Sequence, residues 1–285
     1  MMNKNISKKI TIILIAYKSE KLINAFVKKI PNTIKVIIIE NSNNLLLKRK
    51  IEKNYKNIKV YIKKNEGVSV SINYAAKKIK TEFFLQMSPD IEFDYMDINK
   101  FVEVAKKLDN KFSALGPRFL NVNNKSHKQI NKNLKIGSIN SIHGSFMFIN
   151  KKKFKEIGGF DDNFFLYFEE TDYCKRASNV GLKAYQINEI KAKTEGRSVL
   201  IKNKKEKKEL NNILIWHFIW SKYYYSKKNY GSLISVVIFI PILLRIIIKI
   251  LFYKVFNNKI KMVKYKSRLN GLLSSMVGKR SSLRP

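Results

Sequence analysis

Residues 10–16 read ITIILIA, and this run of mostly β-branched residues between polar flanks decides the fold class. A strand that is apolar on both faces is buried on both faces, which is typical of a parallel sheet covered by helices. After it, apolar residues recur at helical spacing from Leu22 to Ile30, and Pro31 ends the pattern. The stretch therefore predicts a buried strand followed by a crossover helix.

The residues that follow repeat this alternation. Strands are predicted at 35–40, 58–62 and 83–87, with a helix from Ser69 to Ile79 before the last of them. Alternating strands and helices predict an α/β domain with a parallel sheet, whose ligands bind beyond the carboxyl ends of the strands. The residues in the four turns at those ends are Tyr17; Glu40, Asn41 and Ser42; Asn65, Glu66 and Gly67; and Ser88, Pro89 and Asp90.

Composition limits the class of protein. The chain has 285 residues, 45% of them hydrophobic, which is enough for one large domain or two small ones. Lys and Arg outnumber Asp and Glu by 57 to 21, and the net charge of +36 favours polyanionic partners such as nucleic acid, anionic lipid or phosphorylated substrates. The single cysteine, Cys174, excludes an intramolecular disulfide and a cysteine-based zinc cluster, and it indicates a reducing compartment.

Five stretches of the sequence resemble one family of enzymes. The stretches ILIAYKS (13–19), VIIIENS (36–42), NEGVSVSINYAA (65–76) and FFLQMSPD (83–90) resemble the nucleotide-binding half of inverting family 2 glycosyltransferases. The stretch GSFMFINKKKFKEIGGFDDNFFLYFEETDYCKR (144–176) looks like the acceptor and catalytic segment of that family, particularly of its rhamnosyltransferase-like branch. The resemblance implies a GT-A, Rossmann-like α/β fold, with a mixed, mostly parallel sheet flanked by helices.

The resemblance also predicts the domain organisation. It covers about residues 10–200, so residues 1–200 are expected to form a GT-A domain, with a donor half at about 1–110 and an acceptor and catalytic half at about 111–200. Residues 201–285 are expected to form a basic, helical, membrane-associating region. The apolar run at 10–16 is too short for the core of a signal peptide, which fits a cytoplasmic protein.

The first two turns are implied to bind the nucleotide of the donor. Tyr17, which follows Ala16 at the end of the first strand, would lie against the base. Glu40 would accept a hydrogen bond from the base or the ribose, because a strand-end carboxylate is a strong acceptor. Asn41 and Ser42 complete this expected donor site.

The third turn and the helix after it are implied to contact the donor as well. Asn65, Gly67 and Asn73 match the family's N-x-G element and its helical asparagine. A glycine lets the backbone approach the donor, and an asparagine caps the helix or contacts the ligand. The alternative for Asn65 and Gly67 is a plain turn that leads into the helix.

The fourth turn is implied to hold a divalent cation, Mg²⁺ or Mn²⁺. Its Asp90 corresponds to the last acid of the family's D-x-D element, where the cation neutralises the departing diphosphate. The first acid of that element is absent here, so metal binding would depend on Asp90. The family's later metal-binding histidine is replaced by Thr194, which leaves Glu195 as a substitute ligand or Arg197 as a direct partner of the diphosphate.

An acidic cluster is the expected catalytic centre. Glu169, Glu170 and Asp172 follow an aromatic run, and apolar surroundings raise the pKa of a carboxylate towards values useful for proton transfer. Glu170 matches the proposed base of the family, and Asp172 is the second choice. The alternative is that these acids only favour the start of a helix at 171–178.

Three residues are expected on the acceptor side of the site. His143 and Gly144 precede the apolar strand of the catalytic segment, and Glu169 begins the acidic cluster. The alternative for His143 is a structural role, which is the more frequent one for a lone histidine beside a glycine. These positions would contact the hydroxyl-bearing acceptor.

The last third of the chain carries much of the positive charge. Residues 199–285 contain 19 Lys and Arg against 2 Glu. Residues 216–230 mix aromatic side chains with lysines, as suits lipid headgroups or nucleobases. Residues 233–244 are almost wholly apolar, but Arg245 and Lys249 follow, and a membrane span needs about 20 apolar residues. An interfacial or re-entrant helix on an anionic membrane surface is favoured, with a tilted span or a core helix as alternatives.

Together these patterns predict a hexosyltransferase. It would move a hexose, rhamnose in particular, from a nucleoside-diphosphate sugar to a lipid-linked or cell-envelope polysaccharide acceptor, with inversion. It would be peripheral to the cytoplasmic face of the inner or plasma membrane. The alternatives are a degenerate nucleotide-sugar-binding protein without turnover, and a basic nucleic-acid-binding protein. No nucleic acid is expected as a partner, because the acidic cluster would then be unexplained.

Overall fold

The computed structural model describes residues 4–122, 128–196, 199, 201 and 203–285, and it divides the chain into two compact units. The first comprises Met1–Asp161 and Glu169–Leu200, and the second comprises Asp162–Phe168 and Ile201–Pro285. The expected boundary at residue 200 therefore needs one change, because residues 162–168 group with the C-terminal helices. The reason is that the aromatic side chains of this short segment pack on the first of those helices.

Within the described part of the first unit, nine strands form a single sheet in the order β3-β2-β1-β4-β8-β6-β9-β5, and β7 also pairs with β9. Their bounds are β1 Ile10–Ala16, β2 Lys35–Glu40, β3 Ile58–Ile62, β4 Phe83–Met87, β5 Ile91–Phe93, β6 Leu115–Phe119, β7 Ile136–Ile139, β8 Phe146–Asn150 and β9 Ala184–Thr194. Strands β1 to β4 are parallel, and β8 is antiparallel to β4. The predicted mixed α/β sheet is confirmed.

Helices cover both faces of this sheet. They are α1 Lys4–Ser7, α2 Glu20–Lys29, α3 Leu45–Asn54, α4 Val68–Lys78, α5 Ile98–Lys107, α6 Lys151–Glu156 and α7 Glu169–Asn179. Ile12 and Leu14 of β1 belong to the core formed with α2, α3 and α5, whereas Ile13 belongs to the core formed with α4, α6 and α7. This alternation follows from the two-residue period of a strand, and it explains why β1 is apolar at every position but one.

Strand register brings the predicted turns to one edge of the sheet. Ala16 pairs with Glu40, and Glu40 pairs with Ile62, so β1, β2 and β3 end together. Met87, the last residue of β4, pairs with Phe146, the first residue of β8. The turns after β1 to β4 and the residues that precede β8 therefore share the carboxyl edge of the parallel strands.

The second unit contains three long helices: α8 Lys204–Tyr230, α9 Ser232–Val255 and α10 Lys259–Met276. Their buried core consists of Ile219, Tyr223, Phe239, Ile246 and Leu272. A Cβ atom added at Gly271 would lie 2.6 Å from the carbonyl oxygen of Trp216, so α10 approaches α8 closely because this residue has no side chain.

The aromatic run of α8, whose composition suits headgroups or nucleobases, is divided: its two tryptophans are buried, whereas Phe218 and Tyr230 are exposed. Trp216 and Trp220 are 4% and 3% exposed. The indole N–H of Trp216 donates to Asn270 Oδ1 at 2.7 Å, and that of Trp220 donates to the carbonyl oxygen of Lys279 at 3.0 Å. Rings with satisfied N–H groups form the interior of the helical unit, and composition alone does not distinguish this role from an interfacial one.

Candidate active site

The turn after β2 is built around the carboxylate of Glu40, which is 1% exposed. The backbone N–H of Ser42 donates to both carboxylate oxygens, at 3.0 and 3.1 Å, and the Ser42 hydroxyl donates to Oε1. The backbone N–H of Asn44 donates to Oε2 at 2.8 Å. These donors occupy much of the acceptor capacity of the carboxylate, so Glu40 shapes the turn, and its acceptance of a hydrogen bond from the nucleotide stays a prediction.

The buried amide of Asn41 connects this turn to α4 and to the end of β1. The residue is 7% exposed, its Nδ2 donates to Ser71 Oγ of α4 at 3.0 Å, and its backbone N–H donates to the carbonyl oxygen of Ala16 at 2.8 Å. Within the described residues, Asn41 Oδ1 and the buried hydroxyl of Ser69 have no hydrogen-bond partner. Leaving such a group unpaired costs about 1–3 kcal/mol, so both are natural contacts for polar groups of a donor.

The first two turns are connected to each other beside Tyr17. The backbone N–H of Lys18 donates to Ser42 Oγ at 3.2 Å, and Lys18 Nζ lies 5.6 Å from the centre of the Tyr17 ring. Ala16, at the end of β1, is 1% exposed, and Tyr17 is half-buried. Tyr17 is thus placed where an aromatic ring can stack on a base, and Ala16 contributes its backbone to the floor of the turn.

The third turn is a tight connection into α4. Asn65 Oδ1 accepts a hydrogen bond from the backbone N–H of Gly67 at 3.3 Å. Gly67 has φ +103° and ψ 174°, a backbone conformation that is almost restricted to glycine. Asn65 therefore stabilises the turn, and Gly67 allows the backbone to enter the helix. Because Gly67 has no Cβ atom, its backbone can be approached closely by a ligand.

Asn73 has a different role from the expected donor contact. Its Nδ2 donates to the carbonyl oxygen of Phe160 at 2.8 Å, and the backbone N–H of Phe160 donates to its Oδ1 at 3.0 Å. A Cβ atom at Gly159, where φ is +70°, would lie 2.7 Å from Asn73 Oδ1. The Asn73 amide therefore fastens the turn at 158–160 to α4, and both of its ends are used for that purpose.

Asp90 and Thr194 lie in contact after β4 and at the end of β9. Asp90 is 6% exposed, and the Thr194 hydroxyl donates to its Oδ2 at 2.8 Å. The backbone N–H of Gly196 donates to the same hydroxyl at 2.9 Å, and that of Glu195 donates to the carbonyl oxygen of Asp90 at 3.4 Å. Thr194, which replaces the family's histidine, is thus positioned beside Asp90.

His143 also lies near Asp90. Burial lowers the pKa of His143, and the Asp90 carboxylate acts in the opposite direction. The Nδ1 atom of His143 is hydrogen-bonded to the Ser145 hydroxyl at 2.6 Å, and the ring packs on Phe119 with 4.9 Å between centres. This expected acceptor-side residue is therefore part of the same edge of the sheet, and it is anchored by its neighbours.

The atoms around Asp90 fit a cation that is shared with a diphosphate. In the part of the chain that the structure describes, no group of three or more His, Cys, Asp or Glu residues is arranged to hold a metal. Asp90 and Thr194 still present hard oxygen atoms, and Mg²⁺ is commonly held by one or two carboxylates with waters and substrate phosphates. The side chain of Glu195 is exposed, and Arg197 lies outside the described residues.

Gln86 connects β4 to the catalytic segment. Its Nε2 donates to the carbonyl oxygen of Gly144 at 2.7 Å. The backbone N–H of Ser88 donates to the carbonyl oxygen of Ser145 at 2.8 Å. Gln86 is 4% exposed, and its Oε1 has no hydrogen-bond partner among the described residues. Gln86 was not predicted from the sequence, although a polar residue inside the apolar strand FFLQM was the available signal.

Glu170 lies against Gly144. A Cβ atom added at Gly144 would lie 3.3 Å from Glu170 Oε2, so the absence of a side chain there leaves room for the carboxylate. The Thr171 hydroxyl donates to Glu170 Oε1 at 2.9 Å. Burial raises the pKa of Glu170, while hydrogen bonds from its own backbone N–H and from Thr171 act in the opposite direction.

Glu169 is the more deeply buried member of this pair, with 6% exposed. Burial raises its pKa to about 8, and the charge of Glu170 adds to the effect. Its Oε2 has no hydrogen-bond partner within the described ranges. Two adjacent carboxyl groups of this kind titrate as a coupled pair, at pH values above the usual pKa of a glutamate side chain. Both also lie in the first turn of α7, so they fit the start of a helix as well.

Asp172, the predicted second choice for a base, is buried and has a charged partner. It is 0% exposed, and its Oδ2 accepts a hydrogen bond from Arg176 Nε at 2.8 Å. Arg176 also donates to the carbonyl oxygens of Ile157 and Gly159, each at 2.6 Å. Asp172 therefore holds Arg176 in place, and Arg176 fastens the same turn that Asn73 holds from α4.

The second unit contains a strained pair of residues just before α7. Tyr167 and Phe168 have φ values of +69° and +68°. For residues other than glycine, such a left-handed conformation costs on the order of 1–3 kcal/mol each, and it persists only where surrounding contacts impose it. Phe168 is followed directly by Glu169.

The contacts of the first unit thus form two groups at one edge of the sheet. The first group, at the ends of β1 and β2, is Ala16, Glu40, Asn41, Ser42 and Ser71. The second group, at the ends of β4 and β9 and before β8, is Asp90, Thr194, His143, Ser145, Gly144, Gln86 and Glu170. Asn73 and Asp172 belong to neither group.

Known proteins share this architecture. The model of the Glycosyl transferase family 2 matches residues 11–174, which is more than half of the chain. The low-salt glycan biosynthesis hexosyltransferase Agl10 of Haloferax volcanii is 26% identical over 207 residues, covering 64% of this chain. The chain spans 66% of the length of that relative, slightly less than two thirds.

Solved structures of other proteins have a similar fold. The crystal structure of GalNAc-T7 with UDP, GalNAc and Mn²⁺ aligns with a TM-score of 0.53 and 12% identity, over 76% of this chain and 49% of that chain. Residues 1–349 of S. aureus TarS in complex with UDP-GlcNAc align with a TM-score of 0.48 and 14% identity, over 95% and 92% of the two chains. The GalNAc-T7 similarity supports the GT-A fold.

The family match begins in β1 and ends in α7. It therefore includes Asp90, Gly144 and Glu170, and it leaves α8 to α10 outside. The matched region contains the first group of contacts and all of the second group except Thr194, which lies at the end of β9. From this match and the fold, we conclude that the chain belongs to glycosyl transferase family 2, which confirms the prediction of a glycosyltransferase at the level of the family.

Proposed function

We propose that this protein transfers a hexose from a nucleoside-diphosphate sugar to a hydroxyl group of a lipid-linked or cell-envelope polysaccharide acceptor, with inversion at the anomeric carbon. The observation that carries the proposal is the position of Glu170, whose Oε2 lies over Gly144 at the carboxyl edge of the sheet. The hexose is supported by the hexosyltransferase relative. Rhamnose, which depends on the motif resemblance alone, is the first sugar to test.

The donor would bind at the ends of β1 and β2. Tyr17 would stack on the base, while Asn41 Oδ1 and the Ser69 hydroxyl would receive the hydrogen bonds that they lack in the described chain. Glu40 would act indirectly, because it holds the turn that carries Ser42 and Asn44. A preorganised turn of this kind binds its ligand without first paying to order the backbone.

Glu170 would act as the general base. Its carboxylate would take the proton of the acceptor hydroxyl while the hydroxyl oxygen forms a bond to the anomeric carbon. The bond from that carbon to the diphosphate breaks, and its electron pair leaves with the nucleoside diphosphate. A raised pKa makes the carboxylate a better proton acceptor, because burial disfavours its charged form.

Asp90 and Thr194 would hold the diphosphate end of the donor together with a divalent cation. When bound, Mg²⁺ or Mn²⁺ neutralises the charge that develops on the departing diphosphate. The Thr194 hydroxyl donates to Asp90 Oδ2 at 2.8 Å and so holds the carboxylate in place. His143, beside Asp90, and Glu169, beside Glu170, would border the acceptor.

The acceptor would be presented at a membrane surface by α9. This helix of 24 residues is long and apolar enough to cross a membrane, and 17% of its most apolar window is buried inside the protein. Ser235, Phe239 and Ile246 face the other helices, whereas most of the outward residues are apolar, with Arg245 and Lys254 as charged exceptions. Among the outward residues are Leu233, Ile234, Val237, Leu244, Ile248, Leu251 and Val255.

An interfacial position suits this helix better than a span. Arg245 is exposed and lies near the middle of α9, where a span would place it at the centre of the bilayer, at a cost of about 2.5–3.5 kcal/mol. One face of α9 is also covered, because Tyr223 of α8 packs on Phe239 with 5.1 Å between ring centres. Residues 210–285 contain 14 Lys and Arg and no Asp or Glu, which favours anionic lipid.

A panel of nucleotide sugars tests the proposed reaction. UDP-glucose, UDP-N-acetylglucosamine, GDP-mannose and dTDP-rhamnose would each be measured for thermal stabilisation of the full chain and for release of nucleoside diphosphate, with and without Mn²⁺. We expect at least one donor to stabilise the protein and to be turned over. Binding without release would identify a degenerate transferase, and the absence of any binding would contradict the donor site.

Substitutions on the outward face of α9 test the membrane surface. The triple variant Val237→Gln, Leu244→Gln, Ile248→Gln should lose sedimentation with vesicles of phosphatidylcholine and phosphatidylglycerol. Leu46→Gln, at a residue of α3 that is 77% exposed, is the matched control and should bind as the wild type does. Deleting the region from residue 231 is a poorer test, because α10 packs on α8 and its removal would expose a core. Sedimentation of the triple variant at the wild-type level would contradict the proposal.

A further inference from the structure

The segment Asp162–Phe168 is held along its length by α8. Asn163 Nδ2 donates to the Tyr224 hydroxyl at 3.1 Å, and the Ser221 hydroxyl donates to the carbonyl oxygen of Leu166 at 2.8 Å. These α8 residues are spaced at three to four positions, so they lie on one face of the helix. The segment therefore has a fixed course over a single helical face.

Aromatic rings add to this attachment. Phe165 stacks on His217 with 4.5 Å between ring centres, and the Arg284 guanidinium lies 4.3 Å from the centre of the Phe165 ring. His217 Nε2 is hydrogen-bonded to the carbonyl oxygen of Leu283 at 2.7 Å, and its Nδ1 to the Ser281 hydroxyl at 2.9 Å. Burial lowers the pKa of His217 to about 4, so the ring is neutral and can serve one donor and one acceptor. The C-terminal residues thus support the face on which the segment lies.

The strained pair at the end of the segment is covered by two rings of α8. Phe218 lies 5.5 Å from Tyr167 and 5.8 Å from Phe168 between ring centres, and Tyr225 lies 5.6 Å from Phe168. Both strained residues have left-handed backbone angles, which bulky side chains adopt only under constraint. Phe218 and Tyr225 are thus packed against the residues that need that constraint.

We infer that Phe218 and Tyr225 are positioning residues for sugar transfer, because they keep Tyr167 and Phe168 in the left-handed conformation from which the chain enters α7 at Glu169. This inference depends on the proposed role of Glu170 as base. If Tyr167 and Phe168 returned to negative φ, the chain would leave Phe168 in another direction, and Glu170 follows two residues later. The residues that set the geometry of the base thus lie in α8, outside the region matched by the family.

The expected effect is on turnover and not on donor binding. A displacement of about 1 Å in a catalytic group can lower a rate by about 100-fold, whereas the residues proposed for donor binding lie on other strand ends. We expect Phe218→Ala and Tyr225→Ala to lower kcat by about 10-fold to 100-fold and to leave the KM for the nucleotide sugar within about twofold. Phe218→Tyr and Tyr225→Phe keep the rings and should retain kcat within about threefold.

Phe239→Ala is the matched control. Phe239 is 1% exposed and packs on Tyr223 in the same helical core, and it has no part in the contacts with the segment. It should lower the melting temperature at least as much as Phe218→Ala and leave kcat unchanged. In hydrogen–deuterium exchange, Phe218→Ala should deprotect residues 166–170, and Phe239→Ala should not.

The test measures release of nucleoside diphosphate by the full chain with the best donor of the panel. If the double variant Phe218→Ala, Tyr225→Ala keeps kcat and protection of residues 166–170 within twofold of the wild type, the inference is overturned. It is also overturned if Phe239→Ala lowers kcat equally. A Glu170→Gln variant with normal turnover would instead remove the proposed base, and with it the basis of this inference.

Discussion

Two buried glutamate sites at the same edge of the sheet differ in what surrounds their carboxylates. Glu40 is 1% exposed and receives hydrogen bonds from Ser42 and from the backbone N–H of Asn44. Glu169 is 6% exposed, and its Oε2 has no hydrogen-bond partner among the described residues. Burial alone therefore does not make a carboxylate a proton carrier. The number of hydrogen-bond donors around a buried carboxylate decides whether the carboxylate stabilises a turn or remains available to accept a proton.

The sharpest test of this comparison is Glu170→Gln. Glutamine has nearly the same shape but cannot take a proton, so turnover should fall by about 10²-fold to 10⁴-fold, the range that a general base contributes. Donor affinity measured by calorimetry should stay within about twofold, because Asn41 and Ser69 lie on other elements. Near-normal turnover in Glu170→Gln would show that Glu170 is not the base, and that the two glutamate sites do not differ in proton transfer.

The next effect concerns the third buried acid, Asp172, which has a charged partner. Arg176→Met should destabilise the first unit by about 3 kcal/mol in urea unfolding, because it leaves the 0% exposed Asp172 carboxylate without its ion pair. Lys153→Met is the control, since it removes an ion pair with Glu156 whose side chains are 29% and 45% exposed, worth about 0–1 kcal/mol. Equal losses of unfolding free energy in the two variants would show that the buried ion pair of Arg176 stabilises the protein no more than an exposed one.

A smaller effect is expected at the donor turn. Glu40→Gln replaces one acceptor oxygen by an amide group that faces backbone N–H donors, so the free energy of unfolding should fall by about 1–3 kcal/mol. Affinity for the nucleotide sugar should fall as the turn loosens, while the pH dependence of turnover stays as in the wild type. Glu82→Gln, at a side chain that is 40% exposed, controls for loss of a charge. A change in the pH profile of Glu40→Gln would contradict the structural role of Glu40.

The last prediction is a pH dependence of stability that comes from Glu169. Its folded-state pKa of about 8 lies above the usual value of 4.5, so its contribution to stability is complete below about pH 4.5 and is lost as the pH rises through about 8. The melting temperature should therefore decrease as the pH is raised from about 4.5 to about 8. Glu169→Gln should reduce this fall in melting temperature, by about 2–4 °C for each kcal/mol of stability that ionisation of Glu169 removes. A slope that is identical in the variant and the wild type would contradict the burial of Glu169.

Regular secondary structure was predictable from local pattern. Strands β1 to β4 have the bounds that the apolar runs predict, and α4 begins one residue earlier than expected, at Val68. Strands β1, β2 and β4 are buried at nearly every position, so their sequences are mostly apolar and easy to recognise. The turns at their ends follow from topology, and motif resemblance supplied the order of the site residues.

Roles that depend on distant partners were not predictable. Asn73 is polar and close to the donor turn in sequence, yet it binds the backbone of Phe160, which lies 87 residues away. Segment 162–168 reads as part of the catalytic stretch, yet its partners are on α8. The tryptophans of α8 looked interfacial because composition records which rings are present and not what covers them.

The configuration of the first product tests the central claim most directly. A single base, Glu170, that deprotonates the attacking oxygen opposite the leaving diphosphate requires one displacement, and hence inversion. Early proton NMR spectra of the reaction of an α-linked nucleotide sugar with the full chain should show the β-configured product. An α-configured first product would require a second displacement or another mechanism, and it would contradict the role assigned to Glu170.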